Sequence, residues 1–232
     1  MAYIEYRDIC KNYGSFPALT GINLDIGAGR IVGLLGPNGS GKTTLIKLTS
    51  GLLVPNSGEI RVCGNPVGVE SKKCISYLPE RTYLDETMTP EKGIEFFSDF
   101  YPDFDANKAR ELMKELNVDP KRKIKTMSKG SKEKLQLIFV MSRKAKIYIL
   151  DEPIAGVDPA ARELIINTVL KNYVSDSTVV ISTHLISDVE KVLDDVIFLS
   201  YGKIILTSTA YEIRERQGKT VDELFREVFR CS

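Results

Sequence analysis

The sequence has no tryptophan and one histidine, His184. Its four cysteines, Cys10, Cys63, Cys74 and Cys231, form no CxxC pair. So little paired imidazole and thiol argues against a zinc site. Four scattered thiols in 232 residues read as reduced and cytosolic rather than as a disulfide framework. No run reaches the roughly 18 apolar residues that a membrane-spanning helix needs. The first residues, Met-Ala-Tyr-Ile-Glu-Tyr-Arg-Asp, lack the apolar core of a secretion signal. Charge of one sign is missing too: 32 basic against 31 acidic residues leave +1. That balance argues against a nucleic-acid partner, since general nucleic-acid binders carry a large basic excess. Internal repeats and low-complexity stretches are absent. What is present is ordinary globular material, 43% hydrophobic and 27% charged. A chain of this length buries roughly 70–75% of its unfolded surface and folds without staples.

Apolar residues alternate or cluster over 3–10 and 18–26, with a turn at Asn12-Tyr13-Gly14-Ser15 between them, and predict two strands. Ile31-Val-Gly-Leu-Leu35 predicts a buried strand running into a glycine-rich turn, and 42–50 a helix. Short strands are expected at 58–62 and 74–78. From about 90 to 141 helical periods take over. Strand character returns at 147–150, 178–181, 196–199 and 204–206, with helices between the first three. This alternation implies an α/β fold with a mostly parallel sheet covered on both faces, and a helical block inserted into it. Thr209-Ala-Tyr-Glu212 and Thr220-Val-Asp-Glu223 both match the capping box. After the second, Val221, Leu224, Phe225, Val228 and Phe229 share one helical face. That face either packs on its own domain or binds a partner.

Gly36-Pro37-Asn38-Gly39-Ser40-Gly41-Lys42-Thr43 fits GxxxxGK[ST] in full, with Thr44 next along the helix. The glycines let the backbone wrap so that successive N–H groups point at phosphate oxygens, and the helix N-terminus faces the same anion. Lys42 supplies charge at the β and γ phosphates, and the Thr43 hydroxyl is placed to ligate Mg²⁺. A Mg²⁺-bound triphosphate also needs a carboxylate at the end of a second strand. Ile147-Tyr-Ile-Leu-Asp151-Glu152 provides four apolar residues and then two acids. Asp151 is expected to hold Mg²⁺, and Glu152 to polarise an attacking water as general base. GTP is disfavoured: a guanine motif would read Asn-Lys-x-Asp, and the nearest match, Asn107-Lys-Ala-Arg110, ends in arginine.

Together these motifs resemble the ATP-binding subunit of an ATP-binding-cassette (ABC) transporter, from about residue 2 to 207. The resemblance implies a P-loop NTPase core with an N-terminal antiparallel β subdomain and an inserted helical subdomain at about 85–141. It makes 1–207 the ATPase domain and 208–232 a short C-terminal helical extension. Tyr13, 29 residues before Lys42, stands where the family stacks an aromatic on adenine. Met127-Ser128-Lys129-Gly130-Ser131 stands at the family's signature, usually Leu-Ser-Gly-Gly-Gln, with Lys129 and Ser131 as departures. Ser128 and Gly130 are then expected to contact the γ-phosphate bound by a partner chain. Asp158 matches the loop that communicates across the dimer, and His184 the histidine that touches the γ-phosphate and orients the attacking water. Glu80, in Tyr77-Leu-Pro-Glu80, replaces the usual lid glutamine as a Mg²⁺ ligand, a feature of some bacterial exporter ATPases.

Phe96, Phe97, Phe100, Tyr101 and Phe104 are expected to be mostly core, with some lining a groove for a helix of the transmembrane partner. The basic stretch from Lys121 to Lys134 reads as a solvated face. The implied function is ATP binding and hydrolysis with Mg²⁺, by a subunit on the cytoplasmic face of the membrane. Such a subunit pairs with a second ATPase subunit and drives a separate permease, with export as the expected direction. The alternatives are a non-transport ABC ATPase acting on ribosomes or DNA, and a regulatory nucleotide-binding protein that never hydrolyses.

Overall fold

The computed structural model describes residues 2–174 and 176–230; Cys231 lies outside the described residues. Two sheets organise it. The first is antiparallel, in the order β2-β1-β4-β5, built from β1 (Ala2–Tyr13), β2 (Phe16–Gly27), β4 (Ser57–Val62) and β5 (Asn65–Pro66). The second has six strands in the order β10-β9-β3-β8-β7-β6. These are β3 (Ile31–Leu35), β6 (Ile75–Leu78), β7 (Ile147–Asp151), β8 (Thr178–Thr183), β9 (Asp195–Ser200) and β10 (Lys203–Thr209). Five of the six run parallel; β10 closes one edge antiparallel to β9.

β3, β7 and β8 are buried along their whole lengths. That explains their continuous apolar runs, since both faces of a parallel sheet are covered. One face packs with α1 (Lys42–Thr49) against the antiparallel sheet, through Leu45, Ile46 and Leu48 beside Ile9, Leu19 and Ile22. The other face carries α5 (Lys129–Met141) and α6 (Pro159–Asn172), with Phe139, Ile138 and Ile165 against Tyr148, Leu150 and Ile181.

A short helix α2 (Val69–Lys73) precedes β6, and another, α7 (Ile186–Val189), follows β8. The segment between β6 and β7 is helical, as its periodicity predicts. It holds α3 (Pro90–Phe100), α4 (Ala106–Glu115), a 3₁₀ turn at Ile124–Thr126, and α5. Thr89, Asp105 and Ser128 cap α3, α4 and α5 with side-chain oxygens. Both C-terminal capping-box sites open helices, α8 (Ala210–Gln217) and α9 (Val221–Arg230). The apolar face of α9 lies on its own domain: Val221 and Leu224 are buried, and Phe225 meets Phe198 edge-on at 5.4 Å.

The parallel register decides where chemistry gathers. Leu35 pairs with Thr183, and Asp151 with Ser182. The ends of β3, β8 and β7 are therefore side by side. The residue just past each strand, Gly36, His184 and Glu152 in turn, is delivered to one rim of the sheet.

Candidate nucleotide site

The loop leaving β3 cannot carry side chains at its tight points. A Cβ on Gly36 would lie 2.3 Å from the Leu199 carbonyl, and Gly41 sits at φ 110°. Gly41 opens α1 without any side-chain cap, so the first N–H groups of the helix are left to an incoming anion. Lys42 is 5% exposed and folds back over the loop. Its ammonium donates to the carbonyls of Gly36 (2.8 Å) and Pro37 (3.2 Å) and lies 3.4 Å from Glu152 Oε1.

Asp151 is buried at the end of β7. Its Oδ1 accepts from the hydroxyls of Ser182 (2.6 Å) and Thr43 (3.2 Å), whereas its Oδ2 is buried with no partner. Burial pushes this carboxyl above the usual range; the two hydroxyls oppose that, and the charges of Glu80 and Glu152 add to it. Glu152 follows at φ 50°, a left-handed conformation costly for a residue with a Cβ. Its N–H is held by both the carbonyl (3.0 Å) and the hydroxyl (3.1 Å) of Ser182. The bend turns its carboxylate toward His184, whose Nδ1 lies 3.0 and 3.1 Å from the two oxygens. An ionised carboxylate needs a proton on Nδ1.

The phosphate loop and Glu152 share a cavity of about 370 Å³ with Tyr13, Phe16 and Glu80, and Asp151 lines another of about 230 Å³ together with Glu80 and Glu152. Two expected site residues face the first across the loop: Tyr13 at the tip of the β1–β2 hairpin, and Glu80 just after β6. The remaining three do not reach it within one chain. Ser128, Gly130 and Asp158 line a separate cavity of about 280 Å³. There Ser128 caps α5 (Ser131 N–H, 3.2 Å) and Asp158 caps α6 (Ala161 N–H, 3.1 Å). A Cβ on Gly130 would meet nothing within 4 Å, so nothing in this chain's own packing requires a glycine there. Lys129, the departure beside it, lies 3.7 Å from Glu133, and its ammonium sits close against Gly156.

Of the aromatic cluster, Phe97 is core, stacked on Phe139 at 4.7 Å, and Tyr101 lies under the Arg143 guanidinium at 4.1 Å. Phe96 and Phe100 are exposed. With Tyr77, Tyr83 and Tyr101, Phe96 lines a groove of about 580 Å³ whose rim carries Lys47, Lys72 and Arg81 and no carboxylate. The basic stretch is exposed on one side, with Lys132 paired to Glu86. No motif in the sequence points to Ser182. Its signal was its register opposite Asp151, which a single sequence does not supply.

Residues 19–155 match the family described as ABC transporter. The chain is 31% identical over 223 residues to the linearmycin resistance ATP-binding protein LnrL of Bacillus subtilis (strain 168), covering 93% of this chain and 72% of that protein. It is 29% identical to the Nod factor export ATP-binding protein I of Burkholderia orbicola (strain AU 1054), covering 97% and 77%. A solved structure of an ATP-binding subunit of an ABC transporter superposes with a TM-score of 0.87 at 26% identity, over 97% of this chain and 99% of that one. The fold is shared with a dimeric ATP-binding cassette in a post-hydrolysis state bound to ADP and Pi, with a TM-score of 0.78 at 21% identity, over 89% and 98%.

Proposed function

The chain belongs to the ABC transporter family as an ATP-binding subunit, and from that premise we propose that it powers an exporting permease by closing on a second ATPase subunit around two ATPs. The observation that carries this reading is the division of the site. The phosphate loop with Glu152 opens into one cavity, and Ser128, Gly130 and Asp158 line another. Each is half a site. A second copy facing the first joins the loop of one chain to Ser128–Gly130 of the other. The unencumbered Gly130 is then where the partner's triphosphate approaches closely.

In that arrangement ATP phosphates replace the two carbonyls now bound by Lys42, and the uncapped start of α1 takes the same anion. Glu152 accepts the proton of the attacking water at a carboxylate oxygen, and His184, carrying a proton on Nε2 as well as on Nδ1, donates to a γ-phosphate oxygen. The donor set suits a hard divalent cation: a hydroxyl, and a buried carboxylate with one oxygen unpartnered. Mg²⁺ held by Thr43, Asp151 and Glu80 would neutralise charge developing on the β- and γ-phosphate oxygens.

Closure needs ATP to bind the closed pair better than the open one, and roughly 5 kcal/mol of difference moves the pair from mostly open to mostly closed. Motion reaches the membrane through a permease segment seated in the aromatic groove around Phe96, near the lid residue Glu80. Among the described residues no helix is long and apolar enough to cross a membrane, and in this scheme a separate permease carries the translocation path. The relatives described above are named for export and for resistance, which favours transport over action on ribosomes or DNA.

Phosphate release tests the catalytic assignment. Glu152→Gln is expected to bind ATP with Mg²⁺ and to release phosphate at least about 100-fold more slowly, the usual scale for losing a general base. Wild-type release by this variant contradicts the role given to Glu152.

A further inference from the structure

We propose that Phe16 is a second nucleobase-facing aromatic, forming with Tyr13 a two-ring platform that selects purine over pyrimidine nucleotides. The proposal rests on the nucleotide reading above and adds to it a specificity-determining residue. β1 and β2 are joined by the two-residue turn Gly14-Ser15, and Tyr13 and Phe16 are paired directly across it. Gly14, at φ 60°, provides the positive φ that so tight a turn requires. Residues directly opposite in an antiparallel pair project from the same face, with Cβ atoms about 4.5–5.5 Å apart. The two side chains therefore leave the same face of the hairpin tip. Both line the cavity of the phosphate loop. They are 49% and 62% exposed, and neither stacks on another aromatic among the described residues.

An exposed phenylalanine at a hairpin tip gains nothing from this chain's core, yet its ring opens onto the cavity that receives the nucleotide. Ring size then sets the selectivity. A purine, with two fused rings, spans both aromatics, whereas a pyrimidine covers one. The phosphates are held elsewhere, by Lys42 and the loop, so the platform acts on the base alone.

Calorimetric titration of the full chain with ADP, CDP and inorganic pyrophosphate separates these contributions without turnover. Base–aromatic stacking is worth enough that Phe16→Ala is expected to weaken ADP binding at least about 5-fold. CDP should weaken less, so the ADP-to-CDP preference shrinks, and pyrophosphate affinity should not move. Phe16→Tyr should retain the preference, and Phe16→Leu, which keeps an apolar side chain without a π-face, should lose it. Equal weakening of ADP and CDP, a loss of pyrophosphate affinity, or unchanged affinities throughout would overturn the proposal. If the wild-type chain binds neither ADP nor pyrophosphate, the nucleotide reading itself fails, an outcome separate from any effect of Phe16. Circular dichroism of each variant checks that the hairpin persists.

Discussion

At the residue scale, the site is dominated by charges that hold one another in place. Lys42 is bonded to two loop carbonyls and paired with Glu152, which is also paired with His184. Phosphate oxygens compete for that ammonium, and charge-assisted contacts are the strong ones. Lys42→Ala should therefore cost about 1.5–3 kcal/mol of ATP binding, or roughly 10- to 150-fold in Kd. Calorimetry giving unchanged affinity would remove Lys42 from the phosphate site. Glu133 makes a second residue-level prediction. Its Oε2 is buried without a partner, and burial raises its carboxyl above the usual range despite Lys129 nearby. A carboxyl raised by folding disfavours its charged form in the native state, so its contribution to stability is lost as pH rises through the folded value. Glu133→Gln should thus raise Tm at pH 7.5, with the gain vanishing below the ordinary value of 4.5. An equal Tm at both pH values would show that the buried charge is not destabilising. The glycine pattern, Lys42 and the Asp151-Glu152 pair are legible in sequence because each has a fixed spacing tied to one chemistry. The hydroxyl of Ser182 on Asp151 and the ring of Phe16 are not, because each depends on which residue lies across a strand pair.

At the element scale, caps and apolar periods carried most of the information. The continuous apolar runs of β3, β7 and β8 and the shift to helical periods after β6 predict the observed order. Edges were harder. β1 and β2 run to Tyr13 and from Phe16, farther toward the turn than their apolar patterns extend, because backbone pairing continues where side-chain alternation has ended. The cap of α4 is a test at this scale. Asp105 accepts from the N–H groups of Asn107 and Lys108, and the Lys108 hydrogen bond is the main cause of its lowered pKa. A lowered carboxyl stabilises the fold above its ordinary value of 3.8, and that stability is lost as pH falls through the folded value. Asp105→Ala should cost about 1 kcal/mol at pH 7, a fall in Tm of about 2–4 °C, and less in acid. Asp105→Asn, which keeps an accepting oxygen, should lose much less. Equal losses from both substitutions would mean that the charge, not the cap, matters.

At the scale of the whole molecule, the parallel sheet brings the ends of β3, β7 and β8 to one rim, and the helical segment carries Ser128 and Gly130 to another place. Sequence order alone does not separate these two sets, since the motifs succeed one another without any sign of which face each occupies. The fold makes the separation physical, and in the function proposed a second chain completes each half-site. Light scattering of Glu152→Gln with and without ATP and Mg²⁺ tests that proposal most directly. The expected result is a particle of 25.9 kDa without nucleotide and about twice that mass with ATP. Substituting Ser128→Arg in the same chain should abolish the shift by filling the approach to the partner's phosphate. A mass that stays at that of one chain under saturating ATP would contradict a site shared between two copies.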